Sequence, residues 1–251
     1  MTSSSSLLSR VRLNSEWHAR PVATMTAPFR CTHQVIKRTS NATESREAFS
    51  QLCTRHSQPV PSEDSRYHLA HLGSALIKWE GHTEADSITC LVPGNGSPLF
   101  SKSANQFAPN EVGTVFGDEL VCGVNVEVLK QAAEELDMDF IRASLGSNEI
   151  YGGPVTDGKA SLWTSFHLDA DGYCRIVLID HALPDTALGR LLQHVLETES
   201  YRLMAVEGLP VARTTMAELN QLETELEPLM DELMQSHENT DHESLFMTLS
   251  N

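Results

Sequence analysis

The sequence predicts an α+β fold built on a mainly antiparallel sheet, and three observations carry that expectation. Short segments rich in β-branched residues, with partly alternating polarity, recur between Phe29 and Ile179. A few helical patterns interrupt them without the strict strand–helix alternation of a parallel α/β protein. Turn chemistry suited to hairpins joins neighbouring segments, most clearly at Asp169-Ala170-Asp171-Gly172, where Asp-Gly supplies the positive φ of a tight connection. The expected arrangement has the helices at 43–56 and 183–207 on one face of the sheet, followed by a C-terminal helical segment. The domain reading is a disordered lead over 1–12, an α+β domain over 13–209, a helical segment over 210–235 and a disordered acidic tail over 236–251.

Taken in order, Phe29 to Arg38 reads as a strand, and Thr43 to His56 reads as a helix with Ala48, Phe49, Leu52 and Cys53 at helical spacing. Pro59 and Pro61 mark a loop. Tyr67 to Glu80 and Ser87 to Val92 read as two strands, and the Pro93–Pro98 run is a turn cluster. Ser101 to Asp118 is weakly patterned. Leu120 to Leu129 reads as a strand, Gln131 to Leu136 as a short helical piece, Phe140 to Leu145 as a further strand, and the Gly-rich 151–159 as a loop. Ala160 to Leu168 and Cys174 to Ile179 form the clearest hairpin. Beyond Pro184-Asp185 a helix follows, with Leu188, Leu191, Leu192, Val195 and Leu196 on one stripe. After Pro210 comes a second helix whose Leu219, Leu222, Leu226, Leu229 and Leu233 alternate three and four apart, as in a coiled-coil seam broken or kinked by Pro228. Leu76 to Val92 and Ser161 to Leu178 share an internal echo, each running Trp, His, an acidic residue, Ala-Asp and then a Cys-bearing strand.

Composition narrows the function classes. The chain has 251 residues and a net charge of −16, which argues against nucleic acid and against an anionic membrane surface. No apolar run reaches the length of a membrane span, and the mean hydropathy of −0.24 reads as soluble. Five cysteines without Cys-x-x-Cys spacing read as reduced cytoplasmic thiols. No Walker loop, GxGxxG, GxSxG or HExxH is present.

Three clusters carry the candidate chemistry. Glu16, His18 and Arg20 alternate ahead of Pro21, so an extended segment presents all three on one face. In Trp79-Glu80-Gly81-His82-Thr83-Glu84, His82 and Glu84 again stand two apart. Two His–carboxylate pairs suit acid–base work or a mixed N/O metal site. Glu199 sits where the apolar stripe of its helix continues, three residues before Arg202 and beside Tyr201. On that stripe the charges must pair or bind something. His18, His82, Glu16 and Glu84 are therefore the catalytic candidates. Arg20, Trp79, Glu199, Tyr201 and Arg202 are the substrate-binding candidates, and the metal and cofactor stay undetermined.

In the stretches Glu16–Pro21 (E-x-H-A-R-P), Trp79–Glu84 (W-E-x-H-T-E) and the run from Gly189 through Glu199, Tyr201, Arg202 and Met204 to Arg213, the chain resembles family 3422 of the domains of unknown function. The 162–180 hairpin fits as well. The resemblance implies no established activity. Its members are typically longer, with a C-terminal membrane anchor, so this chain is expected to be a shorter form without it, placed in a specialised biosynthetic pathway. The leading expectation is a soluble cytoplasmic enzyme acting on a small polar molecule. A non-catalytic binding or scaffold protein, and a metal- or haem-dependent enzyme using His18 or His82, remain the alternatives. Expected partners are a small-molecule ligand and a second copy meeting through the C-terminal helix, with no nucleic acid and no membrane.

Overall fold

A computed structural model of the chain describes residues 24–38, 41–83, 85–117 and 119–238. The chain divides into two compact units, one ending at Leu203 and one beginning at Met204. The first holds strands β1 (Phe29–Lys37), β2 (Tyr67–Leu72), β3 (Ala75–Gly81), β4 (Ala85–Pro93), β5 (Leu120–Lys130), β6 (Tyr151–Val155), β7 (Ala160–Leu168) and β8 (Cys174–Asp180). They form one sheet in the order β2-β3-β4-β1-β5-β8-β7-β6. Its neighbours are antiparallel except for the parallel pair β5 and β8. Helices α1 (Ala42–Arg55), α2 (Met138–Leu145) and α3 (Asp185–Glu207) accompany the sheet, and α4 (Leu209–Glu238) belongs to the second unit. The fold is α+β, as expected. Among the described residues, no helix is long and apolar enough to cross a membrane.

Strand alternation assigns the two faces. On one, Ile77, Trp79, Ile88, Cys90 and Ile36 meet Phe49, Leu52 and Cys53 of α1 in a single core. On the same face, Val177, Ile179 and Trp163 pack with Ile141 and Leu145 of α2. Helices do share one face, but the pair that shares it is α1 and α2. The helix expected at 183–207, α3, faces the opposite side, where Ser200 meets His33 of β1. The physical reason is the two-residue period of the strand: His33 points away from the side to which Thr32 and Gln34 point.

A buried polar knot fastens α1 to the sheet. Asp86 is fully buried and accepts hydrogen bonds from Arg38 Nε and Nη2 (both 2.9 Å), Ser45 Oγ (2.7 Å) and Trp79 Nε1 (3.1 Å). Every lone pair of the carboxylate is used, which makes a buried charge tolerable.

Three local expectations change. Tyr67–Glu80 is not one strand but a hairpin, turned at Gly73 (φ +63°) and Ser74 between the partners Leu72 and Ala75. Phe140–Leu145 belongs to α2, which Asp137 caps through the amides of Asp139 and Phe140 and Gly146 ends in the left-handed region. Residues 151–155 of the expected loop form the edge strand β6. The internal echo lands on β3–β4 and β7–β8, which hold corresponding places in the two halves of the sheet. Yet β4 runs antiparallel to β1 whereas β8 runs parallel to β5, so no single rotation relates the halves.

Candidate functional site

The α3 side of the sheet carries a buried polar cluster separate from the Asp86 knot of the opposite face. Cross-strand register places Lys78 against Thr89 and Glu80 against Ser87 on β3 and β4, and His33 against Thr89 on β1. All five side chains are buried. Lys78 Nζ and Glu80 Oε1 lie 3.0 Å apart as a buried ion pair. With His33 and Thr89, and with Gly189, Leu192, Gln193, Leu196 and Glu197 of α3, they line a cavity of about 40 Å³. One water needs roughly 10–15 Å³, so the cavity has room for more than a single water. Gln193 turns its amide nitrogen to Glu197 (2.8 Å), and its Oε1 accepts no hydrogen bond among the described residues.

His33 is held at both nitrogens. Nδ1 lies 2.8 Å from Thr89 Oγ1 and Nε2 lies 3.1 Å from Ser200 Oγ. Ser200 already donates its proton to the Leu196 carbonyl (2.7 Å), so it accepts from His33. The network thereby assigns the neutral Nε2–H tautomer, with Nδ1 accepting from Thr89. Burial pushes the imidazole pKa down to about 4, Glu80 pulls it back upward, and His82 and Lys78 press it lower. With its lone pair engaged, His33 is a fixed hydrogen-bonding post and not a proton acceptor.

His82 follows β3 and is half-buried, with Nε2 3.1 Å from Ser87 Oγ. Ser87 is 1% exposed, so its hydroxyl orients the imidazole and is not presented as a nucleophile. Toward the C-terminal end of α3, Glu199 is buried on the stripe and takes Arg202 Nε (3.1 Å) and Nη2 (2.7 Å) on one carboxylate oxygen. That bond raises the Arg202 pKa. The Arg202 guanidinium lies over the Phe166 ring at 5.3 Å. Phe166 sits at φ +57° in an irregular stretch of β7, between Thr164 and Leu168, where four residues of advance match two on β8.

The sequence candidates divide accordingly. His82, Glu199 and Arg202 come to one side of the sheet, linked by His33, which bonds Ser200 and feels the charge of His82. Tyr201 is half exposed beside them. Trp79 is a correction: it is 1% exposed on the opposite face, stacked on Phe49 at 5.6 Å, and offers no surface to a ligand. Alternation alone sends it there, one residue from Lys78 and one from Glu80. Glu16, His18, Arg20 and Glu84 lie outside the described residues. Among those described, no group of three or more His, Cys, Asp or Glu side chains is placed to hold a metal ion. The sequence reading missed His33, Lys78 and Thr89. A usable signal existed, since Lys78 and Glu80 stand two apart within the otherwise apolar Ala75–Gly81.

Comparison with curated proteins finds no match, and comparison with solved structures finds none. Comparison with protein families matches residues 7–251 to the family described as "Protein of unknown function (DUF3422)". That match spans nearly the whole chain, both units included, and the chain therefore belongs to this family.

Proposed function

We propose that the protein is an enzyme acting on a small polar molecule at the α3 side of the sheet. The carrying observation is the buried Lys78–Glu80 pair lining a cavity. Two apolar side chains would fill these strand positions at lower desolvation cost, so a buried pair is poorly explained by stability alone. In this reading Lys78 and Glu80 hold the polar groups of the ligand, His33 and Thr89 keep the floor rigid, and His82 moves the proton. The clusters Glu16-His18-Arg20 and Glu84 are proposed to supply further acid–base and anion-binding groups, and Glu199-Arg202 to border the site. A cytoplasmic location belongs to the same reading.

Thermal-shift titration with small amines, amino acids and carboxylates tests it. At least one compound should raise the melting temperature of the wild type. His82→Gln should melt as the wild type does and keep that response, since Lys78 and Glu80 hold the ligand, while turnover of the responding compound should be lost, because an amide keeps one hydrogen bond but shuttles no proton. The double variant Lys78→Met/Glu80→Met should lose the response while melting at or above the wild-type temperature. No response to any compound, together with a large stability loss in the double variant, assigns the cluster to structure and overturns the reading. Elemental analysis and an absorption spectrum of the purified protein decide the metal- or haem-dependent alternative.

A further inference from the structure

We infer that α4 docks against a basic amphipathic helix of another protein through a leucine seam flanked by carboxylates. Leu219, Leu222, Leu226 and Leu229 follow one another at intervals of three, four and three, which are the a and d positions of two heptads. They are 48%, 61%, 54% and 55% exposed, so these four leucines are about half open or more among the described residues. In this register Pro228 falls at position c, away from the seam, and the helix continues through it to Glu238.

The flanks choose the partner. Glu218 and Glu225 occupy g positions and Glu223 an e position. In a parallel pair of identical helices, each g residue meets the e residue five places on in its partner, which sets Glu218 against Glu223. An antiparallel pair sets g against g and e against e, and again joins carboxylates. Either orientation of a second copy therefore juxtaposes like charges, and this opposes the expected dimer. Arg213 is the one Lys or Arg between 209 and 238, so the helix has no basic flank of its own to offer in exchange. A helix with apolar residues at a and d and Lys or Arg at e and g meets both features together.

Fluorescence anisotropy with the full chain and designed peptides tests this. The probe is a labelled peptide of about four heptads with Leu at a and d and Lys at e and g. Two controls are a peptide of the same composition with the leucines out of register, and one with Glu at e and g. The Lys peptide should bind and both controls should not. Leu226→Ser/Leu229→Ser should weaken binding at least about tenfold, with the wild-type melt retained, since both leucines are exposed. Glu218→Lys/Glu223→Lys/Glu225→Lys should reverse the preference toward the Glu peptide. Equal binding of the out-of-register peptide, no binding of the Lys peptide, or a dimer in sedimentation that Leu226→Ser/Leu229→Ser dissolves each overturns the proposal.

Discussion

Burial leaves a charged His33 ring without solvation and so pushes its pKa well below the ordinary range, while two hydroxyls engage its nitrogens and fix the tautomer. The sign of the consequence follows. A folded pKa near 4, below the unfolded value of 6.5, means that the unfolded chain binds more protons between those pH values. Stability is then complete above pH 6.5 and falls as the pH drops toward 4. The depth of that loss is on the order of 3 kcal/mol. Urea unfolding from pH 7.5 to pH 4 should show this decline, and His33→Gln should flatten it while losing some stability at neutral pH. An unchanged pH profile in the variant would assign the acid sensitivity to other groups. Asp86 makes a contrasting case on the opposite face: four hydrogen bonds hold its charge in place as pure architecture.

At the scale of elements, the edge strand β6 depends on one glycine. Gly152 has φ +147°, and a Cβ there would stand 1.9 Å from the carbonyl oxygen of Leu162 on β7. No rotamer relieves a clash with neighbouring backbone. Gly152→Ala should therefore detach β6 from β7 and lower stability by at least about 2 kcal/mol. Gly153→Ala is the matched control, because nothing lies within 4 Å of its Cβ position. Hydrogen exchange at the β6 and β7 amides, read beside the thermal melts, separates the two. Equal protection in both variants would show that the strand tolerates the displacement. Loss of β6 also removes Tyr151 from the Phe166 ring, 5.6 Å away, and so loosens the contact over which Arg202 lies.

At the scale of the whole molecule, the five thiols report on the sheet unit. Cys31, Cys53, Cys90, Cys122 and Cys174 are all free and buried. Burial pushes Cys90 and Cys122 up to about 12 and raises the other three as well. Both access and thiolate content are therefore low at neutral pH. Ellman's reagent should titrate none of the five in the native protein at pH 8 and all of them in guanidinium. Onset of labelling should track loss of the sheet and be unmoved by substitutions in the α4 seam. Rapid reaction of any one thiol in the native state would show a local opening that the packing does not predict.

Local chemistry determined much of the secondary structure: the 160–179 hairpin through Asp171-Gly172, α1 through its apolar spacing, α3 behind Pro184-Asp185 and the leucine period of α4. It determined the α+β class as well, because class follows from the order of elements. The misread segments had local answers too, in the Asp137 and Gly146 caps of α2 and the Gly73-Ser74 turn. Only the tertiary structure decided which side chains meet. Lys78, Trp79 and Glu80 are consecutive, yet alternation sends the tryptophan into the α1 core and the two charges to the α3 side. His33 acquires its tautomer from Thr89, 56 residues away, and Ser200, 167 residues away. Strand order and helix placement create such encounters through contacts distant in sequence, and no local spacing encodes them.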